Sequence, residues 1–423
     1  MSEITGAADR LRSQRSVMSD RTTRRLLGLV ALLGLVVAGC ASDAPLDTLE
    51  PQGGPARSID GLFNAVWWVA TAVFVLVMGA VIYVSWKFRS KRGADGEWDD
   101  DEELPGQVHG NTRAEIGWTI APALILAVLA VPTLAGVFEL ANWHDDAEVE
   151  IEVYGAQWWW EFRYPGTDIV TANTIVFPAG EPIELTMTSY DVIHSFWIPA
   201  LNGKRDVAPG RTHTWAIEAD EPGTYWGQCV EFCGLSHANM RIRAIALPRQ
   251  EYEDWLTEQQ ALQPAEGPVA DDSYLETVRW AETPLVSPEA AQRGYEVFGQ
   301  FCASCHVVGG QYEAVAGGIA PLISGHAPDL THFMTRTGFA ANIYDLYEED
   351  GSVNVAELRQ WVWRAPEMKG MAPDEMRGMP SFAEQMTREQ VDDVVAYLMT
   401  LGGEPTLPSG VDLSEADILR RAD

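Results

Sequence analysis

Two long apolar runs in the first third of the chain limit the folds that it can adopt. Residues 62–86 and 116–138 contain no charged side chain, and they are 25 and 23 residues long. About 20 apolar residues are enough for a helix to cross a bilayer. Pro122 and Pro132 in the second run are tolerated there, because neighbouring helices and side chains can satisfy the carbonyls that proline frees. The sequence therefore predicts a transmembrane hairpin within residues 40–143.

The orientation of this hairpin is predicted by the basic residues that follow the first run. They are Lys87, Arg89, Lys91 and Arg92. Because cytoplasmic loops carry an excess of Lys and Arg, the loop between the runs is expected in the cytoplasm and both ends of the hairpin outside. The acidic stretch 97–103 falls in this loop, and we interpret it as a solvated charge run.

The N-terminus has the pattern of an export signal. Six arginines precede residues 26–39, which are apolar but too short to span a bilayer. We interpret residues 1–39 as a signal peptide in a bacterial plasma-membrane protein. Val37-Ala38-Gly39-Cys40 resembles a bacterial lipoprotein cleavage box, which implies a lipid-modified Cys40 at the mature N-terminus; an ordinary signal with an incidental cysteine is the alternative.

Net charge and cysteine usage narrow the class of protein. A formal net charge of −32 argues against nucleic-acid binding, because the phosphates would be repelled. Five cysteines are present, and the four beyond Cys40 fall in two short motifs, Cys229 with Cys233 and Cys302 with Cys305. No cysteine is left over for a disulfide.

The loop 228–240 concentrates soft metal ligands in 13 residues: Cys229, Cys233, His237 and Met240. A single-copper electron-transfer site needs one thiolate, two histidines and a weak axial ligand. Here there are two thiolates, so with His194 from upstream two coppers can share both sulfurs and keep one histidine each. Met240 and the Glu231 carbonyl would fill the weak axial positions. Structural zinc is the alternative, but zinc sites usually take paired ligands from each end of a finger.

The segment around this loop is predicted to be a β-domain. From residue 148 to residue 247 short β-type runs alternate with Gly and Pro turn signals. This pattern is typical of a β-sandwich or barrel, and we place the domain at residues 144–248. Residues 249–287, a polar helix-like segment and then a Pro- and Ala-containing stretch, are expected to be a linker.

A third domain is expected at residues 288–403, followed by a tail at 404–423. Cys302-Ala303-Ser304-Cys305-His306 has the spacing for covalent haem c attachment, with His306 as the proximal ligand. A redox dithiol is the alternative, and it would be unusual on an oxidising side of a membrane. Five methionines compete for the sixth ligand position: Met368, Met371, Met376, Met379 and Met386.

Local resemblances narrow the haem ligands. Gly378-Met379-Pro380 and the helical pattern after it resemble the distal side of small all-α class I cytochromes c, which implies Met379 as the ligand. The other methionines are interpreted as packing or surface groups. The segment 327–331 resembles the proximal strand whose backbone supports the haem histidine, and this implies a role for Pro328.

Taken together, these segments resemble subunit II of caa-type cytochrome c oxidases. The resemblance implies a cupredoxin fold for the β-domain, with a mixed-valence dicopper centre, CuA, on His194, Cys229, Cys233 and His237. It also implies a haem-bearing subunit I and a subunit III as partners, and a cytochrome bc complex or a small cytochrome c as donor. The chain would be the electron entry of an enzyme that reduces oxygen on subunit I and pumps protons.

The resemblance assigns three further residues. Trp158 would carry electrons between the copper centre and subunit I, whereas a membrane-interface belt or a barrel interior would explain Trp159 and Trp160. The Glu231 carboxylate would reach a magnesium or manganese ion shared with subunit I, or is merely a solvated acid. Glu115 matches a carboxylate at the mouth of a proton path, but a Glu in the first turn of a helix also favours the helix dipole.

Two other function classes stay open. One is the electron-entry subunit of a copper-containing nitric oxide reductase, against which the resemblance of residues 109–119 to the entry of the second oxidase helix argues. The other is an electron carrier or copper-holding lipoprotein with no partner subunit. Two membrane spans beyond a lipid anchor argue against that class, because one lipid and one span would already hold a carrier.

Overall fold

The structure, a computed structural model, describes Gly28 and the ranges 45–89, 110–143, 145–261, 287–308, 327–348, 351–375 and 377–402. Several expectations lie outside the described residues. They are the rest of the signal peptide, Cys40, Lys91, Arg92, the acidic stretch 97–103, Met376, the linker residues 262–286 and the tail.

The described residues form three groups of elements. The first group is α1 (Gly54–Lys87) and α2 (Thr112–Ala141). The second is β1 (Val149–Ala156), β2 (Trp159–Arg163), β3 (Val170–Ala172), β4 (Thr174–Pro178), β5 (Ile183–Ser189), β6 (His194–Phe196), β7 (Arg205–Val207), β8 (His213–Ile217), β9 (Gly223–Gln228), β10 (Arg241–Leu247) and α3 (Arg249–Ala261). The third is α4 (Pro288–Phe301), β11 (Gly338–Phe339), β12 (Tyr344–Asp345), α5 (Val355–Met368) and α6 (Arg388–Leu398).

Helices α1 and α2 are long and apolar enough to cross a membrane, and their apolar side chains are exposed along their length. Both extend beyond the predicted runs, to 34 and 30 residues. The extra first turns of α1 are polar in sequence, and Gly54, Pro55 and Ala56 are buried against the β-domain. The first turn of α1 therefore packs against the β-domain and is not part of the membrane span. We call this contact, formed by residues 53–57, the joint.

This joint ties the hairpin to the β-domain at both of its ends. Arg57 in α1 forms an ion pair with Asp220, and the Trp143 indole N–H after α2 donates to Glu218 Oε2 at 2.7 Å. Gly53 lies so close to the Glu218 carbonyl that an added Cβ would stand 1.9 Å from its oxygen. Only glycine fits there.

The β-domain packs a five-stranded sheet, in the order β3-β2-β1-β5-β8, against a three-stranded sheet, β4-β10-β9. Strand pairs β1–β5 and β4–β10 are parallel and the others are antiparallel. In β5 the buried residues alternate along the strand, as expected for a sheet with one face on the core. Strand β10 is buried throughout, because it is the central strand of its sheet.

Helix α3 corrects the expected start of the linker. Tyr252 and Trp255 on this helix are buried in the β-domain core, and the Trp255 ring meets Tyr164 with centroids 5.1 Å apart. The polar sequence of the segment predicts a linker, yet two aromatic side chains at helical spacing bury one of its faces. Residues 249–261 therefore belong to the β-domain.

The third domain is built on the crossing of α4 and α6. Gly294 lies at this crossing, where an added Cβ would stand 1.8 Å from the Asp393 carbonyl oxygen. The Phe298 and Tyr397 rings pack beside it at 5.2 Å, and Arg293 forms an ion pair with the Asp393 carboxylate. The close approach lets the two helices enclose an apolar core with α5.

We expect Gly294→Ala to destabilise this domain by about 2–3 kcal/mol, because the new methyl group meets backbone that cannot move away alone. Gly299→Ala in the same helix is the matched control, since its added Cβ meets nothing within 4 Å. It should gain about 0.5–1 kcal/mol from helix propensity. The measurement is the midpoint of thermal unfolding of the purified chain, followed by circular dichroism in the haem band. Equal midpoints for the two variants would contradict the crossing.

Candidate copper and haem sites

The loop that carries the soft ligands is closed at its base by two paired strands. Strand β9 ends at Gln228 and β10 begins at Arg241, and these two residues are partners in the antiparallel ladder. A hydrogen bond from the Cys229 N–H to the Met240 carbonyl, 2.9 Å, continues the pairing into the loop. We call residues 229–240 the copper loop. Because its ends are fixed, its side chains are held near His194, the first residue of β6.

The potential ligand atoms form a row. His194 Nδ1 lies 3.9 Å from Cys229 Sγ, the two sulfurs of Cys229 and Cys233 are 3.8 Å apart, and Cys233 Sγ lies 3.6 Å from His237 Nδ1. His194 and both cysteines are buried. The sulfur separation is well above the roughly 2.05 Å of a disulfide, so both thiols are free to bind metal.

Two weaker donors complete the row. Met240 Sδ lies 3.9 Å from Cys233 Sγ, and the Glu231 carbonyl oxygen lies 3.3 Å from Cys229 Sγ. Each sulfur thus has one imidazole and one weak donor on its own side. The donor chemistry fits a pair of copper ions that share the sulfurs.

The geometry disfavours a single zinc ion. In the part of the chain that the structure describes, the ligand atoms of His194, Cys229 and Cys233 all lie within 4.8 Å of one another, and His237 falls outside that group. A tetrahedral zinc would need all four ligands around one point at about 2.0–2.3 Å.

The pKa values of the two thiols are shifted in opposite directions. The hydrogen bond with Cys233 lowers the pKa of Cys229, and the same bond together with burial raises the pKa of Cys233. Metal binding must displace these protons, since the thiolate is the ligand.

Asp191 is a functional candidate that sequence reasoning did not single out. Its Oδ1 lies 2.9 Å from His194 Nε2, and its Oδ2 accepts from the Gln157 N–H at 2.7 Å. Burial works to raise the pKa of Asp191, but the bonds from His194, Val192 and Gln157 outweigh it and lower that pKa. The carboxylate thereby fixes the His194 ring with Nδ1 toward the sulfurs, as partners of metal-ligating histidines commonly do.

The haem motif begins where α4 ends, at Phe301. Cys302 is buried, Cys305 is exposed, and His306 Nδ1 lies 2.8 Å from the Pro328 carbonyl oxygen. If Nδ1 carries the proton for this bond, Nε2 is left as the ligand nitrogen. Burial lowers the pKa of His306, which favours the neutral ring that a metal requires.

A cavity opens in front of His306. Its wall includes Cys302, Cys305, His306 and Met379, and most of the rest is apolar. This set fits a covalently attached haem with a methionine on the distal side. Met371 also faces the cavity, and its sulfur accepts the Met379 N–H at 2.9 Å, whereas Met386 is buried in the core.

The β-domain supplies part of the cavity wall. Gln157, Trp158, Trp159 and Asn173 line it. The Trp158 indole N–H donates to the Cys233 carbonyl at 3.1 Å, and the Gln157 side chain donates to the same oxygen at 2.6 Å. One short segment, residues 157–159, therefore lies between the haem cavity and the copper loop.

This placement differs from what the sequence led us to expect for the tryptophans. Trp158 is 4% exposed and faces the haem cavity. The membrane-belt interpretation is wrong for Trp159 and Trp160, which are 7% and 0% exposed. Trp160 lies in the β-domain core, and the centroids of its ring and the His194 ring are 5.8 Å apart.

The two domains meet through buried polar contacts. Asn342 donates from Nδ2 to the Asn173 carbonyl at 2.7 Å, and Arg243 forms an ion pair with Asp345 at 2.9 Å. Lys369 Nζ lies 2.6 Å from the Trp158 carbonyl oxygen. Burial lowers the pKa of Lys369 to about 7.

The two remaining candidate carboxylates have different surroundings. The Glu115 side chain turns back and accepts the Asn111 N–H at 3.0 Å, next to the cap that the Asn111 side chain provides for α2. This contact accounts for Glu115 as a helix-capping residue. Glu231 is exposed, so its carboxylate is accessible from outside the chain.

We expect Asp191→Asn to weaken copper binding by about 10- to 100-fold, because the histidine loses its charged partner and one backbone N–H loses its acceptor. Asp168→Asn, which changes an exposed carboxylate, is the control. The measurement is a copper titration of the purified chain against a competing chelator. Wild-type affinity in Asp191→Asn would contradict the orienting role.

Comparisons with known proteins agree with this division. Residues 53–135 match the family model for the transmembrane domain of cytochrome c oxidase subunit II, residues 167–247 match the model for its periplasmic domain, and residues 291–402 match the cytochrome c model. The predicted fold class is thereby confirmed: two apolar helices, a cupredoxin-like β-domain and a cytochrome c domain.

Relatives align over nearly the whole chain. Cytochrome c oxidase subunit 2 of Alkalihalophilus pseudofirmus is 34% identical over 390 residues, which is 90% of this chain and 98% of the relative. The subunit of the same name from Bacillus sp. strain PS3 is 29% identical and covers 89% of this chain and 97% of its own length. The crystal structure of the periplasmic domain of this subunit from Bradyrhizobium japonicum is 30% identical, with a TM-score of 0.26, and covers 26% of this chain and 93% of that one. Together with the helices, the copper loop and the haem motif, the three family models and the Alkalihalophilus relative show that the chain belongs to the cytochrome c oxidase subunit II family, as a member with a cytochrome c domain of its own.

Proposed function

We propose that this chain is the electron-entry subunit of a caa-type oxidase and that electrons pass from its haem c to its dicopper centre and then to subunit I. The single observation that carries the proposal is the shared wall at residues 157–159. On one side these residues line the haem cavity, and on the other Gln157 and Trp158 donate to the Cys233 carbonyl of the copper loop.

When bound, the haem and the dicopper centre would each supply one-electron redox chemistry. The chain's own residues hold the geometry. His306 and Met379 face the haem cavity, and His194, Cys229, Cys233 and His237 surround the copper position with Met240 and the Glu231 carbonyl. Trp158 lies between these sites, so we assign it to the haem side of the copper centre.

The exit toward subunit I is assigned to the exposed face of the copper loop. Phe232 and Leu235 are 77% and 66% exposed there, and the Phe232 ring packs on His237 with centroids 5.7 Å apart. Large exposed apolar side chains beside a buried metal site are typical of a surface that a partner covers. The neighbouring Glu231 carboxylate is free to reach a magnesium or manganese ion at that boundary.

The remaining parts fit a subunit of a proton-pumping complex in a bacterial plasma membrane. The hairpin α1–α2 anchors the chain, with the copper and haem domains outside and Cys40 as a lipid attachment point. Oxygen reduction takes place on subunit I, with subunit III as a further partner and a cytochrome bc complex or a small cytochrome c as donor. Glu115, beyond its capping contact, is assigned to the mouth of a proton path.

The proposal is tested on the complex captured from native membranes through a tag on this chain. A reduced-minus-oxidised optical spectrum should show haem a beside haem c. Haems b and c without haem a would indicate a nitric oxide reductase or a b-type oxidase, and haem c alone would indicate a carrier.

The rate of oxidase turnover then tests whether electrons enter through haem c. Removal of the residues beyond Gln263, or the double change Cys302→Ser and Cys305→Ser, should lower turnover with the physiological donor by about 100-fold, because a tethered donor is replaced by a bimolecular encounter. The serine variant keeps residues 264–423 and removes the two haem-attachment thiols, so it separates loss of the haem from loss of the polypeptide. Unchanged turnover in both variants would overturn the proposal.

A further inference from the structure

Lys369 is the one buried lysine among the described residues, with 5% of its surface exposed. Lys87 and Lys204 are both exposed. Lysine is almost never fully buried unless it is paired, because an ammonium group is costly to remove from water. A buried lysine at a domain boundary therefore needs a compensating contact.

That contact is with residue 158. Lys369 caps the C-terminus of α5 through its N–H, which donates to the Ala365 carbonyl, and its Nζ donates to the Trp158 carbonyl at 2.6 Å. Trp158 in turn donates from its indole to the Cys233 carbonyl. Two hydrogen bonds thus connect the end of α5 in the cytochrome c domain to a residue of the copper loop.

The three residues after Lys369 lie between the copper loop and the haem cavity. An added Cβ on Gly370 would lie 3.4 Å from Leu235 of the copper loop, which is van der Waals contact. Met371 lines the haem cavity and accepts the Met379 N–H, and Ala372 packs against the β-domain core. The segment 369–372 therefore touches the haem cavity and the copper loop at the same time.

The other polar contacts between the domains lie elsewhere. Asn342 contacts Asn173, the residue before β4, Asp345 pairs with Arg243 in β10, and Thr335 contacts Gln259 of α3. They dock the cytochrome c domain, but they do not touch residue 158 or the copper loop. Among the described residues, Lys369 makes a polar contact that lies between the two redox sites.

We propose that Lys369 is a positioning residue for electron transfer, whose Nζ holds the segment 369–372 against the Trp158 carbonyl and so fixes the separation of haem c and the dicopper centre. This inference rests on the proposed function. The transfer would move one electron from a haem held at His306 to copper held at Cys229 and Cys233, with no bond formed or broken, and Lys369 would contribute only its hydrogen bond. Its role is to hold the geometry.

The test measures the transfer itself in the purified whole complex. A laser flash reduces haem c through an attached photosensitiser, and the decay of reduced haem c is compared with the loss of the near-infrared band of the dicopper centre. We expect Lys369→Met to slow this transfer by about tenfold, because a small misplacement of reacting centres has large effects on rate. Lys369→Arg, which keeps the charge and the donor, should restore most of the rate, and Lys204→Met controls for the loss of one lysine charge.

The haem c and near-infrared spectra of each variant are recorded first. Missing haem or copper bands in the wild-type complex would overturn the proposed function itself, whereas intact bands with an unchanged rate in Lys369→Met would overturn only the role of Lys369.

A measurement on the wild-type complex alone covers the case in which Lys369→Met does not assemble. In the wild-type complex a fixed separation predicts a transfer rate that is independent of solvent viscosity, and a rate that falls in proportion to viscosity would overturn the inference.

Discussion

The carbonyl group of Cys233 is the point on which the arrangement of the two redox sites depends. It accepts from the Gln157 side chain at 2.6 Å and from the Trp158 indole at 3.1 Å. The next residue must be glycine, since Gly234 has a φ of +118° and an added Cβ would lie 3.1 Å from both donor side chains. The copper loop is thus shaped to receive the segment that forms part of the haem cavity wall.

A fixed interface between the two domains makes electron transfer independent of how often a tethered domain meets its partner. A flexible tether raises the effective concentration of donor at acceptor, but each transfer then waits for an encounter. Here buried or half-buried polar groups pair across the boundary at Asn342, Asp345 and Lys369. Buried polar groups are costly when unpaired, so these contacts favour one docked arrangement over many. The distance between the sites is then set by the fold and not by the linker.

The local chemistry of both sites could be predicted from the sequence, because ligand types and spacings are short-range features. The copper loop and the haem motif each lie within 13 residues, and the structure brings His194 to the former from 35 residues upstream of Cys229. Asp191 was missed although it lies beside His194, because its role depends on which ring nitrogen faces the sulfurs. Lys369 was missed because its partner, Trp158, is 211 residues away. The burial of Trp158 at the haem cavity was not predicted for the same reason: only the docked cytochrome c domain shows what covers it.

The most direct test of the account is the order in which the two centres are reduced by the physiological donor. The oxidised complex, mixed rapidly with reduced donor, is followed at the haem c band and at the near-infrared band of the dicopper centre. The account predicts that haem c is reduced first and that the dicopper centre follows at the rate at which haem c gives up its electron. Reduction of the dicopper centre before haem c, or at a rate independent of it, would contradict the account.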